Sequence, residues 1–169
     1  EQFLVNQIER NWTSIKTEKE QSLVQLIQTS FDKFQNESVE TVRKVALDNN
    51  VISSISNHNI TTRTFFELVE SLSPPEQTIE LFDSGKHLLC WNGNEGIQTD
   101  TLWLKSEPSS VVVQGPIYSF LVVVHPVVNN SVIIGYVVSK RLFDVNYPIN
   151  NRFINAEVFS TTFTSCLDI

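Results

Sequence analysis

The residues able to do chemistry are scattered along the chain, and the scatter itself is informative. Cys90 and Cys166 stand far apart and match no metal or redox spacing, so they read either as two buried free thiols or as one disulfide in an oxidising compartment. His58, His87 and His125 are widely separated, with no Cys or Glu at ligand spacing, which argues against a metal centre. Asp83 and Asp100 are the nearest approach to paired carboxylates, yet one belongs to a tight turn and the other to a loop. The chain has no Gly-x-Ser-x-Gly elbow, no Cys/His pairing in a recognisable context and no Gly-x-x-x-x-Gly-Lys phosphate loop. Nucleophilic, metal-assisted and nucleotide chemistry therefore find no support. No cofactor is expected, and the chain reads as a binding domain rather than an enzyme.

Composition narrows the partners. A chain of 169 residues with 41% hydrophobic content is long and apolar enough to bury one ordinary core. A net charge of -7, with no dense basic cluster, argues against nucleic acid. The longest apolar run, Phe120 to Val124, is far too short to cross a bilayer. The chain begins at Glu1 and contains no Met, so it is expected to be a piece of a longer protein whose targeting or membrane segments lie elsewhere. Four Asn-x-Ser/Thr triplets, at Asn11, Asn36, Asn59 and Asn129, carry little weight in a chain so rich in Asn, Ser and Thr.

The elements that must position any site change character at Pro75. Before it the chain reads as helix. Leu4, Ile8, Trp12 and Ile15, then Leu23, Ile27, Phe31 and Phe34, recur at steps of three and four with no Gly or Pro between 3 and 34. Such a helix is about 45 Å long, suited to standing off a membrane or pairing with a second copy, or simply to packing. A second helix is expected over 38–48, ended by Asn49-Asn50, and a third over 62–72, stopped by Ser73-Pro74-Pro75.

After Pro75 the texture is that of strands. Thr78–Phe82, the turn Asp83-Ser84-Gly85-Lys86 with Gly at a position wanting positive φ, and His87–Asn92 make the clearest hairpin. Residues 93–109 form a long irregular connection containing Trp103. Strands follow over 110–114, 117–128 and 131–139, broken by Gly115-Pro116 and the turn Asn129-Asn130. The last two strands are apolar on both faces, so the sheet should be covered twice, by the helices on one side and by residues 93–109 or the tail on the other. A loop-covered apolar sheet face with a few polar groups is where small ligands tend to bind. The expected fold is α+β: a helical segment over 1–75, a five-stranded antiparallel sheet over 76–145, and a tail over 146–169.

This element order is similar to that of the Cache (PDC-type, PAS-like) sensor domains, and the local words agree. Glu80-Leu81-Phe82-Asp83-Ser84-Gly85-Lys86-His87-Leu88-Leu89-Cys90-Trp91-Asn92 looks like the first hairpin of that family, with its Asp-x-Gly turn. Gly115-Pro116-Ile117-Tyr118 resembles the junction of its third and fourth strands, and Ile134-Gly135-Tyr136-Val137-Val138 its last strand. The resemblance spans roughly residues 1–145. It implies an extracytoplasmic module of a bacterial membrane receptor, such as a histidine kinase, chemoreceptor or cyclic-nucleotide enzyme. Such a module binds a small molecule over the sheet and signals through its helices.

The resemblance also places the pocket. It implies aromatic walls and a cation or amide gripping a carboxylate, drawn first from Trp103, Lys105 and Tyr118, then from Trp91, Gln114, Tyr136, His125 and Arg63. The pattern that marks the amino-acid-binding subgroup cannot be laid on this chain, so the expected ligand is a small molecule, a carboxylate more than an α-amino acid. A homodimer through the N-terminal helix is expected, with membrane attachment outside these residues. The tail departs from a single-module pattern: Val158, Phe159, Phe163 and Leu167 lie amid Ser and Thr, so it either adds to this domain or begins a second module. The rival reading is a ligand-free dimerisation or interaction module whose pocket is filled by its own side chains.

Overall fold

The computed structural model describes residues 2–57, 62–72, 77–93, 98–146 and 157–159, and side chains within these from Trp12 onward, those of Thr13, Thr62, Asn146 and 157–159 apart. Helix α1 runs unbroken over Gln2–Ala46, 45 residues, where the sequence predicts two helices. The expected break at 35–37 fails for a local reason. Ser38, which would have to cap a new helix, instead donates its hydroxyl back to the Phe34 carbonyl at 3.1 Å, and Ser22, Ser30 and Thr41 bond back by one turn in the same way. At 1.5 Å per residue α1 is about 68 Å long.

A second correction follows at Asn49-Asn50, which starts a helix rather than ending one. Asp48 has extended backbone, and its carboxylate accepts from the N–H groups of Asn50 and Val51 at 2.8 and 3.2 Å. The result is α2, Asn49–Ser56. Helix α3, Thr62–Leu72, lies where the sequence predicts it.

The fold is α+β, a long N-terminal helix and shorter helices on an antiparallel sheet. Strands β1 (Gln77–Asp83), β2 (Leu88–Asn92), β3 (Ser109–Gln114), β4 (Tyr118–Asn129) and β5 (Val132–Asn146) stand in the order β2-β1-β5-β4-β3. β5, the last of these five in sequence, is thus central, with the β1–β2 hairpin on one side and the β3–β4 pair on the other. β5 runs to Asn146, beyond the expected end at 139, because Lys140 and Arg141 are themselves buried strand residues rather than a polar terminus. A short strand from the tail, β6 (Glu157–Phe159), pairs with Asp144–Asn146 on the edge of β5 that β1 leaves free.

Two turns refine the sequence reading. In the β1–β2 hairpin the positive φ, 65°, falls on Lys86 and not on Gly85. In the β4–β5 hairpin Asn130 and Ser131 both have positive φ, the backbone of a tight two-residue turn. Gly135 has a different role. A Cβ there would sit 2.4 Å from the Phe82 carbonyl oxygen, so glycine lets β5 lie close to β1.

Each sheet face has its own core. On one, Phe34, Val42, Val45 and Ala46 of α1, Val51 and Ile55 of α2, and Phe65 and Val69 of α3 pack on Ile79, Leu81, Cys90, Leu121, Val123, Val127 and Val137. On the other, Phe82, Val122, Val124, Tyr136 and Val138 pack with Leu104 and the partly buried Trp103. The second cover is the irregular connection between β2 and β3, hereafter the crossover. α1 continues past the sheet: residues 14–29 are exposed, and Trp12, Ile15, Leu23, Val24, Leu26 and Ile27 are solvent-facing apolar side chains, Trp12 at 69%.

Candidate functional site

The crossover-covered face holds a charge pair that the sequence does not single out. Glu80 of β1 and Lys140 of β5 lie diagonally across the two strands on the same face, between Phe82, Val122, Val124 and Val138. Their side chains are 5% and 2% exposed, and Lys140 Nζ donates to Glu80 Oε1. The other carboxylate oxygen, Oε2, accepts from the hydroxyl of Thr99, a half-buried residue of the crossover. One carboxylate therefore joins three segments: β1 beneath it, β5 through the ammonium, and the crossover through the hydroxyl.

Local chemistry fixes the crossover in place. Asp100 caps a single turn of 3-10 helix over Thr101–Trp103, its carboxylate accepting from Leu102 N at 2.9 Å. Lys86, from the first hairpin turn, donates to the Thr101 carbonyl at 2.9 Å. Where the chain leaves β2, Gly93 has φ of 87° and lies over Thr78, whose Oγ1 would be 2.8 Å from any added Cβ. An open groove of about 400 Å³ lies beside β2, lined by Phe66, Leu89, Cys90, Trp91 and Gly93.

The helix-covered face holds a second buried cation, on the very next residue. Arg141 is 2% exposed; its Nη1 donates to the Phe34 carbonyl at 3.2 Å and to Glu37 Oε2 at 3.0 Å, and its guanidinium lies 4.0 Å over the Phe34 ring. Phe143 meets Phe31 edge-on at 5.5 Å, so this end of β5 is bound to α1 by charge and by aromatic packing. Gln77, opposite Arg141 in the register, donates to Ser139 Oγ. Arg141 Nε and Gln77 Oε1 remain buried without a partner, one donor and one acceptor on facing residues.

The residues expected in a pocket separate by face. Tyr136 is buried in the crossover-covered core, Trp103 packs against it, and Tyr118 stands 43% exposed beside Phe120, with ring centroids 6.3 Å apart. Trp91 is half-exposed and stands opposite Glu80 in the β1–β2 register. The others lie elsewhere. Lys105 is exposed at the end of the crossover. Gln114 and His125 fall by strand alternation on the helix-covered side, His125 with Nδ1 2.8 Å from the Pro126 carbonyl. Arg63 is exposed on α3 and pairs with Glu67 at 2.8 Å.

Glu80, Lys140 and Thr99 escaped the reading because charge in a strand suggests a surface position. The available signal was a lone Glu within Thr78-Ile79-Glu80-Leu81-Phe82, and the return of apolar residues at Leu142 and Phe143 after Lys140-Arg141.

Burial pushes the Cys90 thiol up to about 12, so it is an inert core residue at neutral pH; Cys166 lies outside the described residues. Burial raises the Asp83 carboxyl, but the N–H and ring of His87 and the N–H of Gly85 outweigh it and hold the group below its ordinary value. Among the described residues no group of His, Cys, Asp and Glu is arranged to hold a metal ion, and no helix is long and apolar enough to cross a membrane. Compared with known proteins, the chain matches no family model and no curated protein.

Proposed function

We propose that this chain is the extracytoplasmic, small-molecule-sensing domain of a membrane receptor, of the Cache type. The observation that carries the reading is the crossover-covered face. A polar cluster is buried there under an irregular segment, while the opposite face is closed by regular helices. Ligand sites favour such covers because an irregular segment can rearrange at less cost than a packed helix.

Signalling needs a ligand that prefers one of two arrangements. In this reading, occupancy of the covered face alters the hold of Lys140 on Glu80 and of Glu80 on Thr99. The change reaches α1 through one peptide step, since Arg141 grips the Phe34 carbonyl and Glu37. α1 carries it toward the membrane, and its exposed apolar stripe pairs with a second copy.

The test is a thermal-shift screen of the domain against small carboxylates, amines, amino acids, sugars and nucleobases. A ligand at about 100 times its Kd should raise Tm by about 5 °C. One chemical class with a saturable shift supports sensing. No shift across the panel rejects it in favour of the second reading, a ligand-free interaction module. The exposed stripe on α1 favours that alternative, and Trp12→Glu with Leu23→Glu would then abolish a dimer seen by analytical ultracentrifugation.

A further inference from the structure

We infer that the Glu80–Lys140 pair is a carboxylate-exchange site: Lys140 is the grip for a short aliphatic monocarboxylate, and Glu80 occupies that grip in the ligand-free domain. The inference rests on the sensing reading and names its ligand class. Three observations carry it.

First, stability alone does not call for the pair. Desolvating an ammonium and a carboxylate costs about what their attraction returns, and a well-packed apolar pair of similar volume does as well or better. Val122, Val124 and Val138 already surround the position with that kind of packing. Second, the two Glu80 oxygens are held by different elements, Oε1 by Lys140 and Oε2 by Thr99. A free carboxylate offers the same two acceptor oxygens. Beyond its Cα the Glu80 side chain is, in effect, propionate, and its apolar stem lies among aliphatic walls. Third, Glu80 lies close to solvent: Thr99, which holds its Oε2, is half-buried, and Trp91, opposite Glu80 in the β1–β2 register, is half-exposed.

Exchange conserves charge at the buried position. Lys140 faces one carboxylate before and one after, while Glu80 turns out to solvent. Thr99 then loses its link to β1, so the crossover is released from the sheet when the ligand arrives.

The experiment is chemical rescue in the whole domain. Glu80→Ala should lower Tm by about 10 °C. Acetate or propionate at about 100 times Kd should return about 5 °C of that loss saturably, while chloride and ethylammonium return nothing. Adding Lys140→Met should abolish the recovery. Should Glu80→Ala not fold, the double variant Glu80→Leu with Lys140→Met, which lacks the grip but not the packing, is compared with the native domain for its carboxylate response. The native domain should show a smaller, saturable stabilisation by the same carboxylates that Lys140→Met removes.

Absence of rescue in a folded variant, or rescue that persists without Lys140, overturns the exchange site. So does rescue in the variant with no response of the native domain. A native shift with a non-carboxylate that survives Lys140→Met overturns this inference and leaves sensing intact.

Discussion

The two faces of the sheet bury similar chemistry under different covers. Lys140 and Arg141 are adjacent on the central strand, 3% and 2% exposed, and each is matched to a carboxylate. Arg141 is held by a helix, through a main-chain carbonyl, an aromatic ring and a Glu37 carboxylate that is itself partly in water. Lys140 is held by a wholly buried Glu80, which is in turn latched by one hydroxyl of an irregular segment. The helix-side cation is fixed by several unlike contacts, none of which can leave alone. The crossover-side cation is paired with a carboxylate whose second oxygen is held by a single hydroxyl of an irregular segment. The first arrangement suits a strut and the second a switch.

Mutations can break that comparison. The largest loss is expected from unpairing either cation. Lys140→Met strands a buried carboxylate and should cost about 3–5 kcal/mol in urea unfolding, and Arg141→Ala should cost about as much by adding a cavity to the lost contacts. The double substitution Glu80→Leu with Lys140→Met sharpens the contrast, since it should return to within about 1 kcal/mol of the native domain. If it stays as unstable as the single, the pair is structural and the switch reading weakens. Gly135→Ala, which sets a methyl against the Phe82 carbonyl, should cost about 1–3 kcal/mol and report on the spacing of β1 and β5 common to both faces.

Smaller effects belong to the hairpin ends. The folded-state pKa of Asp83 is depressed, so its contribution is complete above the ordinary carboxylate range and is lost as pH falls through the folded value, below about pH 4. Asp83→Asn should flatten the acid limb of a Tm-versus-pH curve. Ser131→Gly, at a non-glycine residue with φ of 65°, should stabilise the β4–β5 hairpin by about 0.5–1 kcal/mol, and a lower Tm would argue against the turn described.

The fold was legible where pattern and chemistry agree. The first hairpin, α3 and the doubly apolar strands β4 and β5 follow from alternation and from turn and stop residues. Doubly apolar strands also required a second cover, from residues 93–109 or from the tail, and the crossover contributes it through Leu104 and Trp103. Legibility failed where one residue type serves two ends. Ser38 read as a helix start but bonds back within α1, and Asn49-Asn50 read as a stop although Asp48 caps a start. The site was less legible still. Aromatic residues flagged Tyr136 and Trp103, but the pairing of Glu80 with Lys140 depends on strand order, which brings positions 60 residues apart into one diagonal. Lys105 and Arg63 attracted notice as cations, yet both are exposed.

The unbroken helix has a mechanical consequence. Between Phe34, where Arg141 grips it, and Trp12 lie about six turns with no Gly or Pro to act as a joint, so the projecting part is a lever of about 33 Å. A tilt of about 3° at the gripped end displaces Trp12 by about 1.7 Å, most of the way to a different packing of side chains at the tip. Motion too small to disturb the sheet is thereby magnified, without any rearrangement inside the rod, at the place where it would be read.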